Sequence, residues 1–213
     1  MPFRHLPRPA SAFTLIELLV VITIIVILMG LLFPAFRGVQ DQGKRAQAKN
    51  DLTQIITAIN AFYTEYGQYP CGPQTGADGS DYYTNNDKDR RDLMDLLRVP
   101  YAATPPVLNP RGIAFLQVPS VKNDTAGQRR SGIGNSGIFY DPWGNPYTVK
   151  IDNNYNNVIE NPYTENTGAG AGLNLGAIAW SLGKDADGAK TGAKGSGGPK
   201  NSGKSEDDVI SWL

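Results

Sequence analysis

The chain has 213 residues, among them 24 Gly and 15 Pro, which is enough for one soluble domain plus an appendage, with extensive loops. Lys plus Arg equals Asp plus Glu at 20 each, so the balance supports neither a nucleic-acid surface nor an acidic solvating tail. Cys71 is alone and makes no internal disulfide; its reading is a small, half-buried apolar residue.

Positions 13–36 read FTLIELLVVITIIVILMGLLFPAF, with Glu17 as the only charge. A helix of this length spans a hydrocarbon core. Arg4 and Arg8 precede it and Arg37, Lys44, Arg45 and Lys49 follow. A short basic leader ahead of a first apolar helix favours a cytoplasmic N-terminus, with the bulk of the chain on the other side.

A secretory signal peptide carries its small-residue cleavage site after the apolar run, whereas here Ala10-Ser11-Ala12 comes before it. Cleavage at Ala12 keeps the helix in the mature protein and removes His5, the only histidine. No imidazole then remains for general base work, a catalytic triad or a zinc site. A conventional signal peptide cut after Pro34-Ala35 and an uncleaved anchor are the competing readings.

Glu17 bears on the choice. A carboxylate inside a spanning helix costs about 2.5–3.5 kcal/mol on insertion scales and needs a partner. If Phe13 becomes the N-terminus, the amine of a neighbouring copy supplies one, and the buried acid encodes assembly register. Pro34 near the end of the run predicts local loosening of the helix over 30–34, or marks its exit from the bilayer.

Ala12-Phe13-Thr14-Leu15-Ile16-Glu17-Leu18 resembles the prepilin cleavage and methylation motif of type IV pilins and type II secretion pseudopilins. The resemblance implies a membrane peptidase that cuts between Ala12 and Phe13 and methylates the Phe13 amine. It also makes Glu17 the residue that guides subunit addition. The family usually carries Gly where this chain has Ala12.

Beyond Arg37 the sequence turns polar, and Leu52, Ile55, Ile56, Ile59, Phe62 and Tyr63 recur at three- and four-residue steps, one apolar face of a helix ended by Gly67. Positions 71–86 read as a loop and 88–98 as a short helix. Positions 109–112 and 122–135 read as loops, and strands are expected at 113–118, 138–140, 147–151, 175–182 and 209–212.

Asp141-Pro142-Trp143-Gly144-Asn145-Pro146-Tyr147 suits a type I turn that aims one strand into the next, with Trp143 covering the adjoining core. It resembles a signature of the major, G-type pseudopilin. Asp185 and Asp187, then Glu206, Asp207 and Asp208, form two acidic clusters that adjacent strands would bring together, and calcium takes 6–8 oxygen ligands of this kind. The same positions resemble the family's calcium loop, which implies Asp185 and Asp208 as leading ligands, a Leu182 carbonyl, and Asp187 and Asp207 as weaker ones. Between the clusters lies an insert, 188–205, whose four lysines oppose a cation. Its 198–205 stretch fits G-x-x-x-x-G-K-S by composition alone, without a strand before it or room for a helix after it, so nucleotide binding is rejected.

The expected fold is α+β, a type IV pilin-like lollipop with a long N-terminal helix on a small antiparallel sheet. Its parts are a cleaved leader (1–12), a transmembrane helix (13–36), an amphipathic helix (37–66) and a head (67–213). The expected function is a structural, non-enzymatic subunit of a type II secretion pseudopilus at the bacterial inner membrane, with the head periplasmic. Its partners would be copies of itself, the prepilin peptidase and methylase, other pseudopilins and the inner-membrane platform. A type IV or minor pilin and a single-pass anchored binding protein are the alternatives.

Overall fold

The computed structural model describes residues 14–71, 81–99, 108–163, 172–184, 186 and 207–212, and of positions 31–37 the backbone alone. The class is α+β, as expected. Helix α1 spans Leu15–Tyr66 and α2 spans Asp87–Arg98. Strands β1 (Tyr82–Tyr83), β4 (Thr148–Ile151), β7 (Ala177–Ser181) and β8 (Val209–Ile210) form an antiparallel sheet in the order β1-β4-β7-β8. Two small antiparallel pairs accompany it: β2 (Gly132–Ile133) with β3 (Phe139–Tyr140), and β5 (Ile159–Glu160) with β6 (Gly172–Leu173).

The chain divides into two units, Met1–Gly43 and Lys44–Leu213. In the first, α1 exposes apolar side chains all round: Leu15, Ile16, Leu18 to Ile22, and Ile24 to Met29 are each 47–84% exposed. Among the described residues no helix is long and apolar enough to cross a membrane. The backbone stays helical through Pro34, so the expected loosening over 30–34 is not observed. A proline removes one hydrogen bond, yet its φ is a helical one.

In the second unit the amphipathic reading holds. Leu52, Ile55, Ile59 and Phe62 are fully buried, Ile56 is partly buried, and Tyr63 is largely exposed. All of them but Tyr63 meet Val149, Ile151, Ala177 and Ala179 of the sheet in one core cluster. Side chains alternate across a strand, so Ile178 and Trp180 of β7 enter a second cluster with Ile159, Tyr163, Leu173 and Ile210. Gly67 closes α1 in the left-handed region at φ 68, its amide donating to the Tyr63 carbonyl at 2.8 Å.

Helix α2 is N-capped by Asn86, whose side chain accepts from the Asp89 amide. Its last turn explains why 113–118 is not the strand its sequence suggests. The amides of Phe115 and Leu116 both donate to the Leu97 carbonyl, at 2.8 and 3.1 Å. The segment satisfies a helix terminus rather than a ladder. Conversely, β1 and β2 fall in stretches read as loops; two-residue strands carry too little alternation to be recognised.

Candidate functional site

At the start of α1, Thr14 and Glu17 close a capping box. The Thr14 amide and hydroxyl donate to Glu17 Oε2 at 2.8 and 2.7 Å, and the Glu17 amide returns a bond to Thr14 Oγ1 at 3.3 Å. The T-x-x-E spacing was present in the sequence, and weighing Glu17 only against a partner from another copy overlooked it. Glu17 therefore has a partner within its own chain. Ala12 and Phe13 lie outside the described residues.

In the head, the 141–147 turn is more than a corner. Its expected bond is present, Gly144 N to Asp141 O at 3.2 Å. The fully buried Asp141 also collects the amides of Trp143, Gly144 and Asn145 on Oδ1 at 2.9, 2.7 and 2.8 Å. Its Oδ2 accepts the Ser181 hydroxyl at 2.6 Å, at the end of β7. Burial pushes the Asp141 carboxyl up, opposed by the Ser181 hydroxyl and the turn amides. Asn145 Nδ2 donates to the Gly183 carbonyl at 2.6 Å, and the Gly183 amide donates to Ser181 Oγ at 3.1 Å. Trp143, expected to cover the core, is partly buried and belongs to neither core cluster.

The same knot holds the C-terminal acidic cluster. The Lys184 amide donates to Asp207 Oδ2. Gly183 has φ 64, and a Cβ there would meet that carboxylate oxygen at 2.5 Å, so only glycine fits. Asp208 is buried and its Oδ2 accepts the Tyr163 hydroxyl at 2.6 Å. Leu182 is buried in the second core cluster. Asp185 and Asp187 lie outside the described residues, as does the 198–205 stretch. Among the described residues no group of three or more acidic, His or Cys residues is placed to hold a metal. The described donors are nevertheless oxygens only, the chemistry a hard cation requires.

Two contacts that sequence reasoning missed tie α1 to the sheet. Tyr147 Oη donates to the buried Asp51 at 2.8 Å, and Lys49 Nζ donates to the Ile210 carbonyl at 2.9 Å. Both residues interrupt or flank the apolar stripe of α1, where a polar residue on a core-facing helix was the available signal.

An α+β head packed on the second half of a long helix, whose first half exposes apolar side chains, defines a pilin-like fold class. Residues 7–33, which include Ala12, Phe13 and Glu17, match the model of the prokaryotic N-terminal methylation motif. The chain is 40% identical over 57 residues to the type IV major pilin protein PilA of Myxococcus xanthus, covering 27% of this chain and 26% of that one. It is 37% identical over 67 residues to the type II secretion system core protein G of Pseudomonas aeruginosa, covering 32% and 47%. The chain thus spans less than half the length of either curated relative. No solved structure matches. These matches make the chain similar to type IV pilins and type II secretion pseudopilins over its N-terminal part.

Proposed function

We propose that this chain is the structural subunit of a pseudopilus filament in a type II protein secretion system. It is cut between Ala12 and Phe13, methylated at Phe13, and held in the inner membrane by positions 13–36, with the N-terminus cytoplasmic and the head periplasmic. Its partners are other copies of itself, the prepilin peptidase and methylase, further pseudopilins and the inner-membrane platform, and it has no catalytic role of its own. The observation that carries this reading is the apolar surface exposed on every side of α1 ahead of position 30, behind a methylation motif. Such a surface demands apolar surroundings, from lipid and then from neighbouring helices.

In this reading Glu17 enters the filament core already held by Thr14 and there also meets a neighbour's Phe13 amine. The test is the mass of the purified protein's N-terminus together with the Glu17→Ala variant. A mature chain starting at methylated Phe13, and a variant that inserts but builds no filament, is the expected result. An intact residue 1, or normal filaments from the variant, refutes the reading.

A type IV pilin is the second reading, favoured by the resemblance to a major pilin. The 141–147 turn supports the pseudopilin. Calcium belongs to the same proposal. Leu182, Asp207 and Asp208, with Asp185 and Asp187, would hold it, and its charge would tie the acidic ends of the insert together. Melting of the protein with and without chelator tests this through ligand linkage.

A further inference from the structure

We infer that Asn123 is the acceptor of an N-linked sugar, transferred from a lipid-linked glycosyl diphosphate on the side of the membrane that holds the head. The side rests on the reading above; the acceptor rests on the loop itself. Asn123-Asp124-Thr125 is the one place in the chain where Asn is followed two residues later by Ser or Thr, with a residue other than Pro between. That pattern marks an acceptor when it lies in a surface loop. Three-residue patterns have accidental matches, so the geometry decides. Asn123 and Thr125 are exposed, and Asp124 between them is partly buried.

Asp124 is the anchor. Its Oδ1 accepts Arg129 Nε at 2.6 Å, and its Oδ2 accepts the Asn135 amide at 3.0 Å, which ties the loop to the connection between β2 and β3. The Thr125 amide donates to Asn123 Oδ1 at 3.0 Å, an Asx turn, and the Gln128 amide donates to the Thr125 carbonyl at 2.9 Å. The backbone thus occupies the oxygen of the Asn123 amide. Its nitrogen donates to the Gln128 side chain, a bond between two exposed residues that a bound transferase can replace. An Asp at position 123 would close the same turn, and the turn uses the backbone of Thr125, not its hydroxyl. A carboxamide followed by a hydroxyl is therefore more than this loop needs for its shape. In the transfer, Asn123 Nδ2 bonds to the anomeric carbon of the sugar and the bond from that carbon to the diphosphate oxygen breaks, the electron pair leaving with the lipid diphosphate. Nδ2 gives one proton to a base of the transferase, and nothing is oxidised or reduced.

The test is the intact mass of the full chain purified from the cells that make it, for wild type, Asn123→Gln, Thr125→Ala and Thr125→Ser. Wild type should carry added mass equal to a sum of sugar residues, localised to Asn123 by fragmentation. Asn123→Gln and Thr125→Ala should lose all of it, and Thr125→Ser, which restores the hydroxyl, should keep it in whole or in part. The substituted side chains are exposed, so each variant should melt with the unglycosylated wild type, which shows that a loss is not misfolding. A wild-type chain without added mass overturns the inference and leaves the filament reading standing. Added mass that survives Asn123→Gln or Thr125→Ala lies elsewhere or is placed without the hydroxyl, and also overturns it. The same spectra report the N-terminus separately: a chain glycosylated at Asn123 that still begins at residue 1 upholds the acceptor and refutes cleavage after Ala12.

Discussion

Asp51 is the residue whose chemistry departs furthest from what its place in the sequence suggests. It interrupts an apolar helical face, is buried against the sheet, and is met by the Tyr147 hydroxyl. Burial raises its pKa above the ordinary 3.8, with the Tyr147 bond opposing. A folded-state pKa above the unfolded one means the folded protein binds the proton more tightly. The associated stability is fully present below the unfolded pKa and is lost as pH rises through the folded one. Asp51→Asn keeps an acceptor for Tyr147 and removes the charge. Urea unfolding from pH 3 to 7 should therefore show the variant gaining on wild type as pH climbs above about 3.8, then holding a constant lead. Cys71 offers a simpler check. Burial pushes its thiol up to about 12, so a thiol reagent at pH 8 should label the unfolded chain and leave the native one unmodified, because the thiolate is the reacting form. Its small apolar character was readable from its isolation, whereas the Asp51–Tyr147 pair, 96 residues apart, was not. Nothing in a single sequence marks which hydroxyl meets a buried acid.

Elements were legible in proportion to how much periodicity they carry. The stripe at Leu52, Ile55, Ile59 and Phe62 gave the packed face of α1 directly, since four buried residues at helical spacing admit one face. Strands β4, β7 and β8 were legible from β-branched and aromatic runs, but β7 is buried throughout, so its alternation between two cores emerges only from the fold. The 141–147 segment was read correctly as a turn. Its other half, the carboxylate that gathers three amides and a serine hydroxyl, depends on where β7 ends and lay beyond sequence reasoning. Two substitutions test these weights. Ile59→Ala empties a fully enclosed site on α1 and should lower head stability by about 2–5 kcal/mol, while Ile56→Ala, at a partly exposed site, costs far less. Asp141→Ala leaves three amides and a hydroxyl without their acceptor and should cost roughly 3 kcal/mol in urea unfolding.

At the scale of the whole molecule, the two units do different physical work, and their separation is itself a prediction. Both core clusters are built from Leu52 onward, and the residues that pin α1 to the sheet, Lys49 and Asp51, also follow the unit boundary at Lys44. Among the described residues, both clusters are made of second-unit residues. The apolar side chains of the first unit, in contrast, are exposed among the described residues, and burying such surface in lipid or against other helices is favourable. A fragment beginning at Lys44 should therefore unfold cooperatively, with a melting temperature within a few degrees of the full chain in detergent. It should stay in aqueous solution as a monomer at concentrations where the full chain needs detergent. The α1 segment left in the fragment buries an apolar face on the sheet, and in proteins most helical stability comes from such packing, so its helicity should depend on the sheet. Circular dichroism of the fragment should accordingly lose helix and near-ultraviolet aromatic signal in one transition. Helix that melts separately from the aromatic signal, or a fragment that aggregates as readily as the full chain, would show that the first unit contributes to the head's fold as well as to assembly.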